Sequence, residues 1–113
     1  MSAVDDVLVQ AGVEKTYSTR GAAALIGRSP QWVYWGLKPA DEGGGDIFRT
    51  DKGEPIRPSQ VGGAKGRRRY TLPVVKEMAI AAYKRGNLSE GMLQEALERI
   101  LYEEGLRNRP KAG

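Results

Sequence analysis

Cysteine and histidine are both absent from this 113-residue chain. Their absence removes disulfides, nearly all zinc sites and the usual nucleophile–base pairs of hydrolases. No pair of carboxylates in a glycine-rich frame suggests a hard-cation site. Lys15-Thr16 resembles the end of a P-loop only in passing, because Glu14 stands where the glycine before the lysine belongs. With no catalytic constellation, no metal and no cofactor in view, an enzyme is not expected. No apolar run approaches the roughly 20 residues that span a bilayer, and Asp5 and Asp6 occupy the place of a signal peptide's basic region. The reading is therefore a cytoplasmic protein without a membrane partner.

What the chain does have is lysine and arginine, unevenly spread. Residues 1–14 hold three carboxylates and no base, whereas residues 15–70 hold eleven Lys/Arg against five Asp/Glu. Residues 71–113 are close to balance, so the net +4 is concentrated in one segment. Such a field favours a polyanion, of which nucleic acid is the commonest.

That segment contains the stretch around which the rest is organised, Tyr17–Lys38. Ser18 or Thr19 caps a helix that runs through the alanines to Ile26. Gly27 supplies a left-handed corner, and Ser29-Pro30 starts a second helix with a cap and a proline whose missing N–H costs nothing at that position. Gly36 is read as the stop. The pattern is a helix-turn-helix, with Ala23 as the small residue at the crossing and Val33 as the apolar plug. At 100° per residue, Gln31, Tyr34, Trp35 and Lys38 share the outward flank of the second helix, a mixture of donors and flat rings suited to base edges in a major groove. For Trp32 and Trp35, core packing and contact surface both stay open.

Residues 39–46 read as a flexible connector because of Gly43, Gly44 and Gly45. Ile47–Thr50 and Glu54–Arg57 read as two short strands about a turn at 51–53, and residues 59–66 as a second glycine-rich loop. Arg67–Thr71 is extended, so that Arg67 and Arg69 share one face and Arg68 and Tyr70 the other. Thr71 caps a helix lined by Leu72, Val75, Met78, Ala79 and Ala82 and stopped at Gly86. Ser89 starts a last helix with the stripe Met92, Leu93, Ala96, Leu97, Ile100 and Leu101, ended by Gly105. That stripe is wide enough to leave a margin for a second copy. The expected organisation is an N-terminal arm or short helix (1–14), one domain (15–105) and a disordered basic tail (106–113).

The order helix, turn, helix, hairpin, basic strand, helix, helix resembles the DNA-binding domains of the MerR family and of phage excisionases. Three pieces carry the resemblance: YSTRGAAALIG followed by SPQWVYW, the wing ending GRRRYTL, and NLSEGMLQEALERIL. Arg28 departs from the pattern where the turn usually has an apolar residue, and Gly36 shortens the second helix. The resemblance implies a mainly α fold with a small β-hairpin wing, a winged helix-turn-helix of α+β class. It also implies a recognition helix in the major groove and wing arginines on backbone or minor groove. The candidate DNA contacts are Arg20, Arg28, Gln31, Tyr34, Trp35, Lys38, Lys65, Arg67, Arg68 and Arg69. MerR regulators continue into a dimerising helix and an effector domain, for which this sequence offers no counterpart, so no small-molecule effector is expected.

Three functions follow as expectations. The first is a sequence-specific regulator that binds double-stranded DNA, with a homodimer or a cooperative assembly on DNA as the expected self-association. The second is an excisionase-like architectural factor that binds tandem sites and steers a recombinase. The third is an adaptor whose aromatic helix docks on a protein.

Overall fold

The computed structural model of the chain describes residues 15–61 and 67–107. The expected N-terminal arm, Lys65 and the tail from residue 108 onward lie outside the described residues. What is described is mainly helical: α1 (Thr19–Ile26), α2 (Pro30–Leu37), α3 (Leu72–Lys84) and α4 (Glu90–Arg107), with a two-stranded antiparallel hairpin, β1 (Ser59–Val61) and β2 (Arg67–Arg69), before α3.

Local chemistry explains each helix end. The Ser18 hydroxyl accepts the Gly21 N–H at 3.1 Å and the Ser29 hydroxyl that of Trp32 at 3.2 Å, each satisfying a donor that a helix start leaves unpaired. Gly27 has φ 89°, and its N–H and that of Arg28 both reach the carbonyl of Ala23. Thr71 caps α3 through the Val74 N–H, and Gly86 turns the chain out of α3 at φ 79°. The Ser89 hydroxyl accepts the Met92 N–H at 3.1 Å and opens α4.

α1 lies against α2 and α4, and α3 packs along α4. The core between them contains Ala22, Ala23, Ile26, Val33, Leu72, Val75, Met78, Ala82, Ala96 and Ile100. Burying each of the larger of these stabilises the fold by about 1.5–3 kcal/mol. Tyr70 is also fully buried, its hydroxyl accepting a 3.0 Å bond from the Thr19 hydroxyl. Burial pushes the Tyr70 hydroxyl above its ordinary 10.0, against the smaller opposing effect of the Thr19 bond.

Four expectations need correcting. Gly36 does not stop α2: the helix runs through it to Leu37, and Gly36 is buried. A Cβ there would lie 2.5 Å from Phe48 Cε2 and 3.0 Å from Ile47 Cγ1, so the glycine is a contact point for the segment that packs beneath α2.

The three-glycine connector is not free. Gly43, Gly44 and Gly45 donate to Ala40, Pro39 and Trp35, and Asp46 and Ile47 donate to Lys38 and Gly36. The loop thereby satisfies the open carbonyls of the C-terminal end of α2. Glycine is needed at Gly44 and Gly45 because side chains there would strike the Lys38 backbone and the Trp35 ring. Asp46 holds a left-handed φ of 50°, which Asp tolerates better than most residues. Arg49 Nε donates to its carboxylate at 2.9 Å, and this bond is the main reason its pKa lies below the ordinary 3.8.

The hairpin lies elsewhere than expected. Ile47–Thr50 and Glu54–Arg57 make only an isolated bridge, Arg49 to Pro55, held by the Thr50 N–H on the Glu54 carbonyl and the Ile56 N–H on the Phe48 carbonyl. The Glu54 N–H goes to the Thr50 hydroxyl and the Gly53 N–H to the Thr50 carbonyl. The paired strands are instead β1, within the expected loop, and β2, with Gln60 opposite Arg68. Finally, Gly105 does not end α4, which continues to Arg107; an exposed glycine near a helix end costs only about 1 kcal/mol, too little to break it. The stripe on α4 divides, with Ala96 and Ile100 buried and Leu101 60% exposed beside Tyr102 at 68%.

Candidate nucleic-acid interface

The sequence-selected flank of α2 faces solvent. Gln31 and Lys38 are exposed, Tyr34 is 49% exposed and Trp35 43%, while Val33 behind them is fully buried. The exposed rings differ in what they touch. Trp35 lies against Gly45, whose Cβ would come within 2.5 Å of its Cη2, so one face of the indole is covered by the loop. Trp32 belongs to the interior: it is half-buried, edge-on to Phe48 at 5.5 Å, and covered outside by the Arg28 guanidinium at 5.1 Å from its ring. This contact gives Arg28 a partner that the turn position alone did not suggest.

Beside the flank lies an open cleft of about 430 Å³ lined by Ser18, Thr19, Arg20, Tyr34, Arg67, Arg68 and Arg69. Among the described residues, no carboxylate lines it. The end of β2 forms one wall, the first turn of α1 another, and Tyr34 of α2 the third. Arg68 places its guanidinium 5.7 Å from the centre of the Tyr34 ring, joining hairpin to helix. Among the described residues, Arg20 and Arg67 have no hydrogen-bond or ion-pair partner. Four arginines around a cleft that no described carboxylate lines create a positive potential that an anion relieves.

Arg69 departs from the expected grip. Its Nε donates to the Thr16 hydroxyl at 2.9 Å and its Nη2 to the Thr16 carbonyl at 3.2 Å. Arg69 lines the cleft beside Arg68, but its guanidinium is held back on the segment before α1. Next to it Tyr17 and Tyr70 form an antiparallel bridge with reciprocal backbone bonds of 2.8 and 2.9 Å. Arg69 is thus an anchor of the hairpin root. Thr16, Tyr17 and Thr19 were not singled out for this; their partners lie more than fifty residues away, and the alternation of β2 was the only available sign.

On the opposite side, Arg99 of α4 donates to the Leu25 carbonyl at 2.8 Å, placing positive charge at the C-terminal end of α1. Glu103 accepts the Tyr17 hydroxyl at 3.1 Å. Among the described residues there is no helix long and apolar enough to cross a membrane, and no cluster of carboxylates suited to a metal ion.

No curated protein and no solved structure matches the chain. One family does, over residues 7–103, a span that takes in α1, α2, the hairpin, α3 and most of α4. The chain belongs to that family, described as a domain of unknown function, DUF7229.

Proposed function

We propose that this domain binds double-stranded DNA as a small winged helix-turn-helix protein of MerR-like or excisionase-like type. α2 enters the major groove by its exposed flank, and the arginines beside it grip the backbone. The observation that carries the reading is the juxtaposition of that polar and aromatic flank with an arginine-lined cleft in which Arg20 and Arg67 have no partner among the described residues, bridged by Arg68 on Tyr34. Phosphate contacts of this kind fix register, and groove-facing side chains supply discrimination.

Selection of bound duplexes from a random pool, followed by titration at two salt concentrations, tests the proposal. Specific binding should emerge with a log–log salt slope of about −0.9 for each phosphate neutralised. Affinity that is weak, indifferent to sequence and flat in salt would refute it and favour an adaptor that docks on protein. Footprints on isolated or palindromic sites point to a regulator; adjacent direct repeats with strong bending point to an architectural factor.

A further inference from the structure

The four exposed residues of the α2 flank are not equivalent, and their surroundings divide them. Tyr34 has its ring under the Arg68 guanidinium. Trp35 has a ring face against Gly45. Gln31 and Lys38, by contrast, are exposed, and their side chains have no hydrogen-bond or ion-pair partner among the described residues. They lie two turns apart, about 10 Å along the helix axis.

We propose that Tyr34 is a positioning residue for the backbone grip, and that base discrimination by α2 rests on Gln31 and Lys38. The proposal rests on the DNA-binding reading above. An exposed arginine in a two-stranded hairpin has several freely rotating bonds, and ordering it on a phosphate costs conformational entropy. The Tyr34 ring removes part of that cost in advance by holding the guanidinium over its face, with N–H groups left to donate into the cleft. Geometry suits this division. Tyr34 lines the same cleft as Arg20 and Arg67, so its ring stands at the wall between groove-facing and backbone-facing surfaces. The hydroxyl is not required for the contact; the aromatic face is.

The test uses the full chain and its selected duplex, with a panel of duplexes carrying single base-pair changes. Tyr34→Ala should weaken binding about two- to fivefold, the value of an exposed cation–π contact, and by the same factor on every duplex. Tyr34→Phe should bind as the parent protein does. Arg68→Ala should reduce the salt slope by about 0.9, and adding Tyr34→Ala to it should change nothing further. Gln31→Ala and Lys38→Ala should each erase preference at particular base pairs, by about five- to a hundredfold for a lost bidentate contact. Tyr34→Phe altering base preference, or the Tyr34 and Arg68 effects adding in full, would overturn the division while leaving DNA binding intact. A parent protein that binds no duplex at low salt would instead remove the reading beneath it. Unchanged melting of each variant separates loss of contact from loss of fold.

Discussion

Replacing Gly36 with alanine pits two effects of known sign against each other. Alanine in a helix interior is favoured over glycine by about 0.8–1.0 kcal/mol. At Gly36, however, the new Cβ lies 2.5 Å from Phe48 Cε2, 2.9 Å from Phe48 Cζ and 3.0 Å from Ile47 Cγ1, where unstrained carbon pairs keep about 3.5–4.0 Å. Neither neighbour can swing aside. Phe48 and Ile47 are each 3% exposed, Trp32 stands edge-on to the Phe48 ring, and the Ile47 N–H is bonded to the Gly36 carbonyl itself at 3.0 Å. Overpacking of this kind costs about 1–3 kcal/mol, so the net effect is a loss of up to about 2 kcal/mol and a melting point lower by up to about 10 °C. Gly91→Ala is the control: it lies in α4 with nothing within 4 Å of its Cβ, and should gain about 0.4–1 kcal/mol. Thermal and urea unfolding followed by circular dichroism measure both. If Gly36→Ala melts above the parent, as Gly91→Ala should, the packing of residues 47–48 under α2 is wrong.

Arg69→Ala should lower stability by about 1–2 kcal/mol through the lost Thr16 bonds, whereas Arg68→Ala should leave the urea midpoint unchanged; equal midpoints for the two would contradict the assignment of Arg69 as an anchor. Tyr70→Phe should cost about 1–2 kcal/mol by leaving the buried Thr19 hydroxyl without its acceptor. Because the folded pKa of Tyr70 is raised, the parent's stability should hold up to the ordinary 10.0 and fall as pH rises through the higher folded value, a loss missing from Tyr70→Phe in alkaline urea titrations. Asp46 has a lowered folded pKa, so its contribution is present above the ordinary 3.8 and is lost as pH falls through the folded value. Asp46→Asn, which keeps a residue tolerant of positive φ, should be less stable than the parent at neutral pH and converge with it in acid; a constant gap across that range would show that the charge is irrelevant.

The helices were legible because their signals are local. Ser18, Ser29 and Thr71 are caps within three residues of the N–H groups they accept, and Gly27 and Gly86 are left-handed corners adjoining the helices they close. The outward flank of α2 followed from its 100° period, with Val33 buried and Gln31, Tyr34 and Lys38 exposed. What escaped was set by partners distant in sequence. Gly36 and Gly105 carry the same local signal, yet one is a buried contact and the other an exposed helical position. The strand pairing of residues 59–61 with 67–69 competes with a tidier hairpin at 47–57, where the Thr50 hydroxyl and carbonyl take the Glu54 and Gly53 N–H groups and only an isolated bridge is left. Within RRR, alternation separated Arg68 from Arg69, but only Thr16, fifty-three residues away, shows which of them is occupied.

The bonded seam between Tyr17 and Tyr70, reinforced by Arg69 on Thr16 and Thr19 on Tyr70, ties the base of the hairpin to the front of α1. The span from α2 to the guanidinium groups is consequently set during folding, as the jaw width of a locked caliper is set before anything is measured. Under the proposed DNA-binding reading, conformity would fall to the nucleic acid: a helix whose groove is too wide or too stiff would have to bend to fit or forgo one jaw. Steps never touched by a side chain would then be selected for their pliancy.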